Sequence, residues 1–415
     1  MLIQKTFRYR VYPTKGQADR LSRWEDALRF LWNLGHEQRL IGTDRSRGER
    51  RYPTAFDQHK ELTALRAVAQ WLADVPRGLC ESTLTELDKA WQRCFTRLAT
   101  NPPRWKRKSE AAPGLSEMHP ESWSLKKTGV RFPKLGVLRA VIHRRAEGKP
   151  KTCTLKRDGD QWFASIVCQV EIADPVPRVA PVLAIDRGIT NLLADSDGNL
   201  TTNPKHYDKA LKRLARAQRD MARKQKGSKN REKAKVRVVR IHRKVRRQRD
   251  HFLHCLSATI AKSNGVVVIE KLQVANMVRN RCLSRSIASA GWSRFAAMLR
   301  YKLQWSGGSL VEVPAQYSSQ TCSACGLIDA QSRCAERFSC VACGYVDHAD
   351  LNAAKVLKHR ANRSVKPVDG ILLAGTGRSG KGSVRLRTPQ RNATNMGALN
   401  VVSLGLRQRN NDGNR

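Results

Sequence analysis

A chain of 415 residues with 78 Lys and Arg against 35 Asp and Glu, a formal net charge of +43, is long enough for two or three domains and far more basic than solubility requires. Such charge matches a long polyanion, so nucleic acid is the expected partner, and the absence of a long apolar run excludes a membrane-spanning helix. The start MLIQKTFRYR lacks the apolar core of a signal peptide, and eleven cysteines, most of them scattered singly, fit a reducing compartment, so a soluble cytosolic protein is expected.

KTFRYRVYP at residues 5–13 alternates Phe7, Tyr9 and Val11 with Arg8, Arg10 and Tyr12, the period of a half-buried strand. Thr14 and Gln17 form a capping-box pattern, after which Leu21, Trp24, Leu28, Leu31 and Trp32 recur at helical spacing as a core face. The same spacing returns in Leu84, Leu87, Trp91, Phe95 and Leu98 and is expected to stop at Pro102 and Pro103, so residues 14–100 read as a helical block. Arg104-Trp-Lys-Arg-Lys108 is a basic knot around an aromatic, suited to phosphate contact with base stacking and equally to a solvated loop.

From Trp123 to Val170 the pattern is that of strands, including a hairpin with arms Thr152–Arg157 and Gln161–Val170 around Asp158-Gly159. With the first strand these could close a small barrel that the helical block interrupts. Ala173-Asp-Pro-Val-Pro-Arg178 reads as a boundary, and a second, α/β domain begins near Val179. Its first strand, Pro181-Val-Leu-Ala-Ile-Asp186, ends in a carboxylate, and residues 191–198 supply an antiparallel partner.

Residues 205–263 carry 21 Lys and Arg against four Asp and Glu. Apolar spacing at Leu211, Leu214, Gln218 and Met221, and again from Val238 through Ile241, Val245, Gln248, Phe252 and Leu256, predicts a two-helix hairpin turning near 225–230, with basic outer faces turned to nucleic acid. Gly265-Val-Val-Val-Ile-Glu270 is a strand buried on both faces that again ends in an acid. A helix through Trp292, Ala296, Leu299 and Leu303 and a strand at 310–313 complete the domain. Beyond residue 362 the periodicity fades into a Gly-, Ser-, Arg- and Asn-rich tail expected to be disordered; its phosphate-loop look-alike at 375–381 has Gly382 where Ser or Thr is required.

Cys322, Cys325, Cys340 and Cys343 form two CxxC pairs, each followed by a glycine able to take the positive backbone angle of a tight turn. Four thiolates at this spacing suit structural zinc; two disulfides or buried thiols are the alternative, and Cys334 between the pairs is a spare. Asp186, Glu270 and Asp350 each lie beside an element boundary of the second domain, and three convergent carboxylates would suit a pair of Mg²⁺ ions cutting a phosphodiester. Taken singly, each acid could be a mere turn or cap residue.

FRYRVYPTKGQ, AIDRGI around Asp186, VVVIEKLQVANM around Glu270, SSQTCSACG with CVACGY, and DHADLNAAKVL around Asp350 together resemble the TnpB family, transposon-encoded RNA-guided DNA endonucleases related to compact type V CRISPR effectors. The resemblance spans about residues 1–360. It implies an α+β multidomain fold: a wedge β-barrel (1–13 and 101–178) interrupted by a helical recognition lobe (14–100), and a RuvC-like nuclease domain of RNase H architecture (179–317) containing the basic hairpin 205–263. A zinc ribbon (318–346), a final RuvC helix (347–362) and the tail 363–415 follow. It further implies that Asp186, Glu270 and Asp350 hold catalytic Mg²⁺ and that the four cysteines hold zinc. A noncoding guide RNA and target double-stranded DNA would be the partners, cleavage would fall beside a short motif, and the bacterial protein would be nucleoid-associated when on DNA.

The chain departs from the family at Ala184, where Gly is usual, and in Asp347-His-Ala-Asp350; Asp350 is assigned as the third acid because Leu351-Asn-Ala-Ala354 follows it as in the family, which leaves Asp347 as the expected helix cap. A type V CRISPR effector shares every motif. A cleavage-silent RNA-guided repressor would be expected to lack one of the acids.

Overall fold

The computed structural model describes residues 1–43, 53–96, 98–99, 101–108, 110 and 113–364; the predicted tail and its phosphate-loop look-alike lie outside the described residues. Strand β1 (Leu2–Tyr12) buries Phe7, Tyr9 and Val11 and turns Arg8 and Arg10 outward, as its alternation predicts. Thr14 and Gln17 then exchange the two capping-box hydrogen bonds, 3.0 and 3.3 Å, and start α1 (Lys15–Thr43). Helices α2 (Ala55–Val68), α3 (Gln70–Ala73) and α4 (Arg77–Phe95) follow. Helix α4 stops before the prolines, and Leu98 lies beyond it, exposed; the Thr96 hydroxyl donates to the Gln92 carbonyl at the helix end.

The basic knot is no free loop. Trp32 Nε1 donates to the Arg104 carbonyl, Asn33 brackets Lys106 through both its backbone groups, and the Trp105 ring meets His36 edge-on at 4.8 Å. Part of the predicted stacking surface is thereby spent on α1.

Strands β2 (Leu115–Glu117), β3 (Ser124–Lys126), β4 (Gly129–Phe132), β5 (Gly136–Val141), β6 (Lys149–Asp158) and β7 (Gln161–Glu171) join β1 in a seven-stranded antiparallel sheet of order β2-β6-β7-β1-β5-β4-β3. The predicted hairpin is β6–β7, with Gly159 at φ +64° in its turn. Tyr9, Phe132 and Ile166 of the sheet share one apolar core with Leu21, Trp24, Leu62 and Leu79 of the helices.

The second sheet has the order β10-β9-β8-β11-β12, built from β8 (Val182–Asp186), β9 (Asn191–Asp195), β10 (Leu200–Thr202), β11 (Val266–Glu270) and β12 (Ser309–Val313). β8, β11 and β12 are parallel, and β9 and β10 run antiparallel. Helices α5 (His206–Ala222) and α6 (Lys229–Ser263) are inserted before β11, and α7 (Val274–Met277), α8 (Ser284–Ala290) and α9 (Trp292–Trp305) before β12.

Every residue of β11 is buried, and its alternation serves two layers. Val267 and Ile269 pack with Leu183, Ile185, Phe295 and Leu299, while Val268 packs with Ala184, Leu357 and Ala361 of the last helix, α10 (Ala349–Ser364). Burying such a side chain on both faces of a sheet contributes about 1.5–3 kcal/mol each, which fixes the strand register.

In the α5–α6 hairpin Leu214, Ala234, Val238 and Val245 are buried, whereas Gln218 and Gln248, expected on the seam, are exposed because their amides remain solvated. Several of its arginines are also committed internally. Arg240 and Arg243 bind Asp160 at 2.8 and 2.9 Å, and Arg246 binds Asp158, so the hairpin leans on the β6–β7 turn.

Candidate carboxylate and metal centres

Parallel pairing of β8 with β11 aligns Ile185 with Ile269, which sets Asp186 and Glu270 next to each other at the strands' C-terminal ends. Asp350 lies in the first turn of α10, the helix that covers β8. The three acids, 164 positions apart along the chain at their extremes, form one electrostatic unit. Burial first, then the charges of Glu270 and Asp350, push the Asp186 carboxyl well above the usual range. Glu270, 7% exposed, is also pushed up by burial, against the pull of Ser318 and Arg187.

Four cationic or polar side chains surround this unit. Ser318 Oγ lies 3.0 Å from Glu270 Oε1, and the buried Arg187 guanidinium donates to the Glu270 carbonyl. Arg333 reaches Asp350 Oδ1 at 3.4 Å, and Arg360 donates to the Pro314 carbonyl while its charge acts on Glu270. At Gly188 a Cβ would stand 2.4 Å from the Asn191 carbonyl oxygen, so the β8–β9 turn closes on itself only with glycine there, while Asp350 Oδ2 at 3.8 Å would be in ordinary contact.

Asp347 is not the helix cap. It lies in strand β15 (Val346–His348), where its carboxylate accepts from Tyr345 Oη and Lys355 Nζ, both at 2.8 Å. Burial alone would raise this carboxyl, but those hydrogen bonds outweigh it and hold the group below its ordinary value. The cap is His348, whose Nδ1 accepts from the Asp350 amide at 3.2 Å: a strand running directly into a helix leaves Asp347 paired in the sheet. The acid that faces Asp186 is Asp350.

The ribbon consists of β13 (Arg333–Cys334), β14 (Arg337–Ser339) and β15 (Val346–His348). All four predicted sulfurs come together, with ligand atoms within 4.8 Å of one another, and none is in a disulfide. Gly326 and Gly344 have φ of +80° and +72°, and their amides donate back to the Cys322 and Cys340 carbonyls at 3.0 Å, closing two matching turns. The Cys343 amide helps to lower the Cys340 thiol to about 6, while neighbouring thiols contribute to pushing Cys343 up to about 12, against the pull of the Tyr345 amide. Four thiolates so close need a cation to coexist. Cys334 is exposed and outside the cluster.

Among the described residues only the cysteines bring three or more ligand atoms within 4.8 Å; the carboxylates, whose charges repel, do not converge so tightly.

Sequence reasoning missed Asn352, which is fully buried. Its amide donates to the Thr321 carbonyl at 2.8 Å and accepts from the Ser323 amide at 2.9 Å, clasping Cys322 to the helix that carries Asp350. Its place two residues after Asp350, on the helix face opposite the acid, was the available signal. Arg333 carries no signal in the sequence, because only the ribbon's folding points it at Asp350.

A protein of Streptomyces pristinaespiralis described as "Putative RNA-guided DNA endonuclease" is 33% identical over 403 residues, covering 94% of this chain and 97% of that protein. The chain belongs to the TnpB family. The OrfB_IS605 family model, "Probable transposase", matches residues 165–281, which hold Asp186 and Glu270, and the Cas12f1-like TNB domain model matches 292–357, which hold the cysteines and Asp350. A family model described as a helix-turn-helix domain matches residues 1–39, although here they form β1 and most of α1. The InsQ protein of Escherichia coli K12, with the same printed description, is 29% identical over 374 residues, 85% of this chain and 90% of that one. The fold of the family member resembles the solved Cas12f1–sgRNA–target DNA complex with a TM-score of 0.53 at 13% identity, over 86% of this chain and 98% of that one.

Proposed function

We propose that the chain is an RNA-guided DNA endonuclease of the TnpB type, cutting target DNA beside a short motif with a Mg²⁺-dependent, RuvC-like site of Asp186, Glu270 and Asp350. The observation that carries this is the pair of strand-end carboxylates set side by side, with the third facing them. Their fit to a divalent cation follows from their own electrostatics: burial drives Asp186 and Glu270 towards the protonated state, and at Asp186 the charges of Glu270 and Asp350 add to it, a penalty that a hard cation relieves. Mg²⁺, when bound, would supply an activated water and stabilise the leaving oxygen.

The chain's own contribution is orientation. Ser318 fixes one oxygen of Glu270, Arg187 anchors the backbone behind it, and Arg333 offers a cation beside Asp350. The four cysteines would hold zinc in a purely structural role, closing the ribbon from which α10 starts. In this reading the seven-stranded sheet serves as the wedge barrel, the α1–α4 block as the recognition lobe, and the second sheet as the nuclease domain. A guide RNA pairs with the target and supplies sequence specificity, while the protein reads duplex shape and the adjacent motif.

The test is cleavage of a matched plasmid by the protein with its co-purifying RNA in Mg²⁺. Wild type should cut and Asp186→Ala should bind without cutting. An intact target under wild type, bound as tightly as by the variant, refutes the nuclease.

A further inference from the structure

The cysteine cluster is gripped by α10 at both of its turns. Cys322 and Cys340, 1% and 3% exposed, pack with Phe338 and with Ala349, the residue before Asp350, in one small apolar core. Asn352 ties the first turn to the helix, and Lys355 Nζ reaches Tyr345 Oη at 3.1 Å beside the second turn, where the Cys340 amide donates to the Tyr345 carbonyl at 2.8 Å. Ser318, on the way into the ribbon, holds Glu270, and Arg333 within it lies beside Asp350. Across the two turns the sulfurs form pairs, Cys322 with Cys343 at 3.7 Å and Cys325 with Cys340 at 3.6 Å. Each pair joins one buried cysteine, Cys322 or Cys340, to one exposed cysteine, Cys343 or Cys325.

We propose that the ribbon is a peroxide-sensitive switch on the carboxylate centre: oxidation joins Cys322 to Cys343 and Cys325 to Cys340, zinc leaves, and Asp350 loses its place beside Asp186 and Glu270. The inference rests on the nuclease reading for its consequence in cutting, not for its thiol chemistry. Zinc would hold all four sulfurs as thiolates, so exposure rather than acidity selects the one that meets an oxidant first. The exposed thiolate of a pair attacks hydrogen peroxide, the O–O bond breaks, and a sulfenic acid and a hydroxide result. The buried thiolate then attacks the sulfenic sulfur, forming the S–S bond and expelling a second hydroxide. Each pair thus gives two electrons to one peroxide, and both hydroxides are protonated to water by the solvent. Zinc, left without thiolates, dissociates. From 3.6 or 3.7 Å to a bond of about 2.05 Å, each pair closes by about 1.6 Å and drags both turns against the α10 side chains that grip them.

The experiment treats the zinc-loaded full chain with its co-purifying RNA with hydrogen peroxide. It follows zinc release with a chelating dye, disulfides by peptide mass mapping, amide exchange at Ser323 and Asp350, and cleavage of a matched target. One zinc should be released for every four thiols lost, with the two named disulfides formed. Exchange at both amides should quicken and cleavage fall by at least about tenfold, as a displaced catalytic group implies. Amides of β7 should exchange as before, because the core of the first sheet contains no ribbon residue. Reductant together with Zn²⁺ should restore every readout. Retained zinc, disulfides that leave out the four cysteines, or zinc release with unchanged exchange at Asp350 overturns the proposal, and so does exchange quickened equally in β7. A variant combining Cys255→Ser, Cys282→Ser and Cys334→Ser removes the exposed thiols outside the cluster and should stay as sensitive; resistance there overturns it too. Cleavage by the reduced protein is scored separately: if it is absent, the nuclease reading fails and zinc release with Asp350 exchange decides the switch. If it is present and survives oxidation, the switch alone fails.

Discussion

Replacing Asn352 with Ala removes a clasp at the junction between the cysteine cluster and the helix bearing Asp350. The side chain has no exposure, and its two bonds, 2.8 Å to the Thr321 carbonyl and 2.9 Å from the Ser323 amide, bracket Cys322. Each backbone group left unpaired in a buried place costs about 1–3 kcal/mol, so the junction should lose about 2–6 kcal/mol. Because ribbon folding and metal binding are one equilibrium, even the low end means about 30-fold easier loss of zinc to a chelator. The assay is chelator competition on the purified protein, with amide exchange at Ser323 as a metal-independent readout. Asn352→Asp, which keeps the acceptor for Ser323 but not the donor to Thr321, should fall between. Zinc retention and Ser323 exchange equal to wild type in Asn352→Ala would refute the reasoning.

Three further outcomes are expected. Cys340→Ser should take bound zinc from one equivalent per chain to none by atomic absorption, and unchanged stoichiometry would remove the cluster's assignment. Since the Asp186 and Glu270 carboxyls are raised in the folded state, the stability they contribute is complete below the unfolded value of about 4 and is lost as pH rises through their folded values. Chelator-treated protein should therefore melt lower as pH rises across that window, Mg²⁺ should restore the loss, and Asp186→Asn should flatten the dependence in melting curves. Gly188→Ala puts a Cβ 2.4 Å from a backbone oxygen that cannot move as a side chain would, so cleavage should fall at least about tenfold with RNA binding kept; full activity would show that the β8–β9 turn can yield.

Periodicity was enough to reveal β1, the capping box, the β6–β7 hairpin, α5–α6 and the doubly buried β11, because each is fixed by local spacing and by which face must leave water. The two cysteine turns were equally legible, since CxxC-Gly specifies both ligand and backbone angle. What spacing cannot carry is partner choice across the chain. Arg240, Arg243 and Arg246 read as a nucleic-acid face, yet they pair with Asp158 and Asp160 about eighty residues earlier. Asp347 read as a cap because helix signals are local, whereas its pairing with Phe338 and its bond to Lys355 depend on the folded ribbon. Asn352 and Arg333 went unseen for the same reason.

The central claim is that Asp186, Glu270 and Asp350, and not Asp347, perform the cut. It is tested most directly by measuring single-turnover cleavage of a matched target by the RNA-loaded protein with Asp186→Asn, Glu270→Gln, Asp350→Asn and Asp347→Asn, target binding being monitored in parallel. The account predicts that the first three retain binding and lose at least about a hundredfold in rate, the several kcal/mol of transition-state stabilisation that a metal ligand supports, while Asp347→Asn still cuts. Wild-type cutting by Asp350→Asn, or loss of cutting confined to Asp347→Asn, would contradict it.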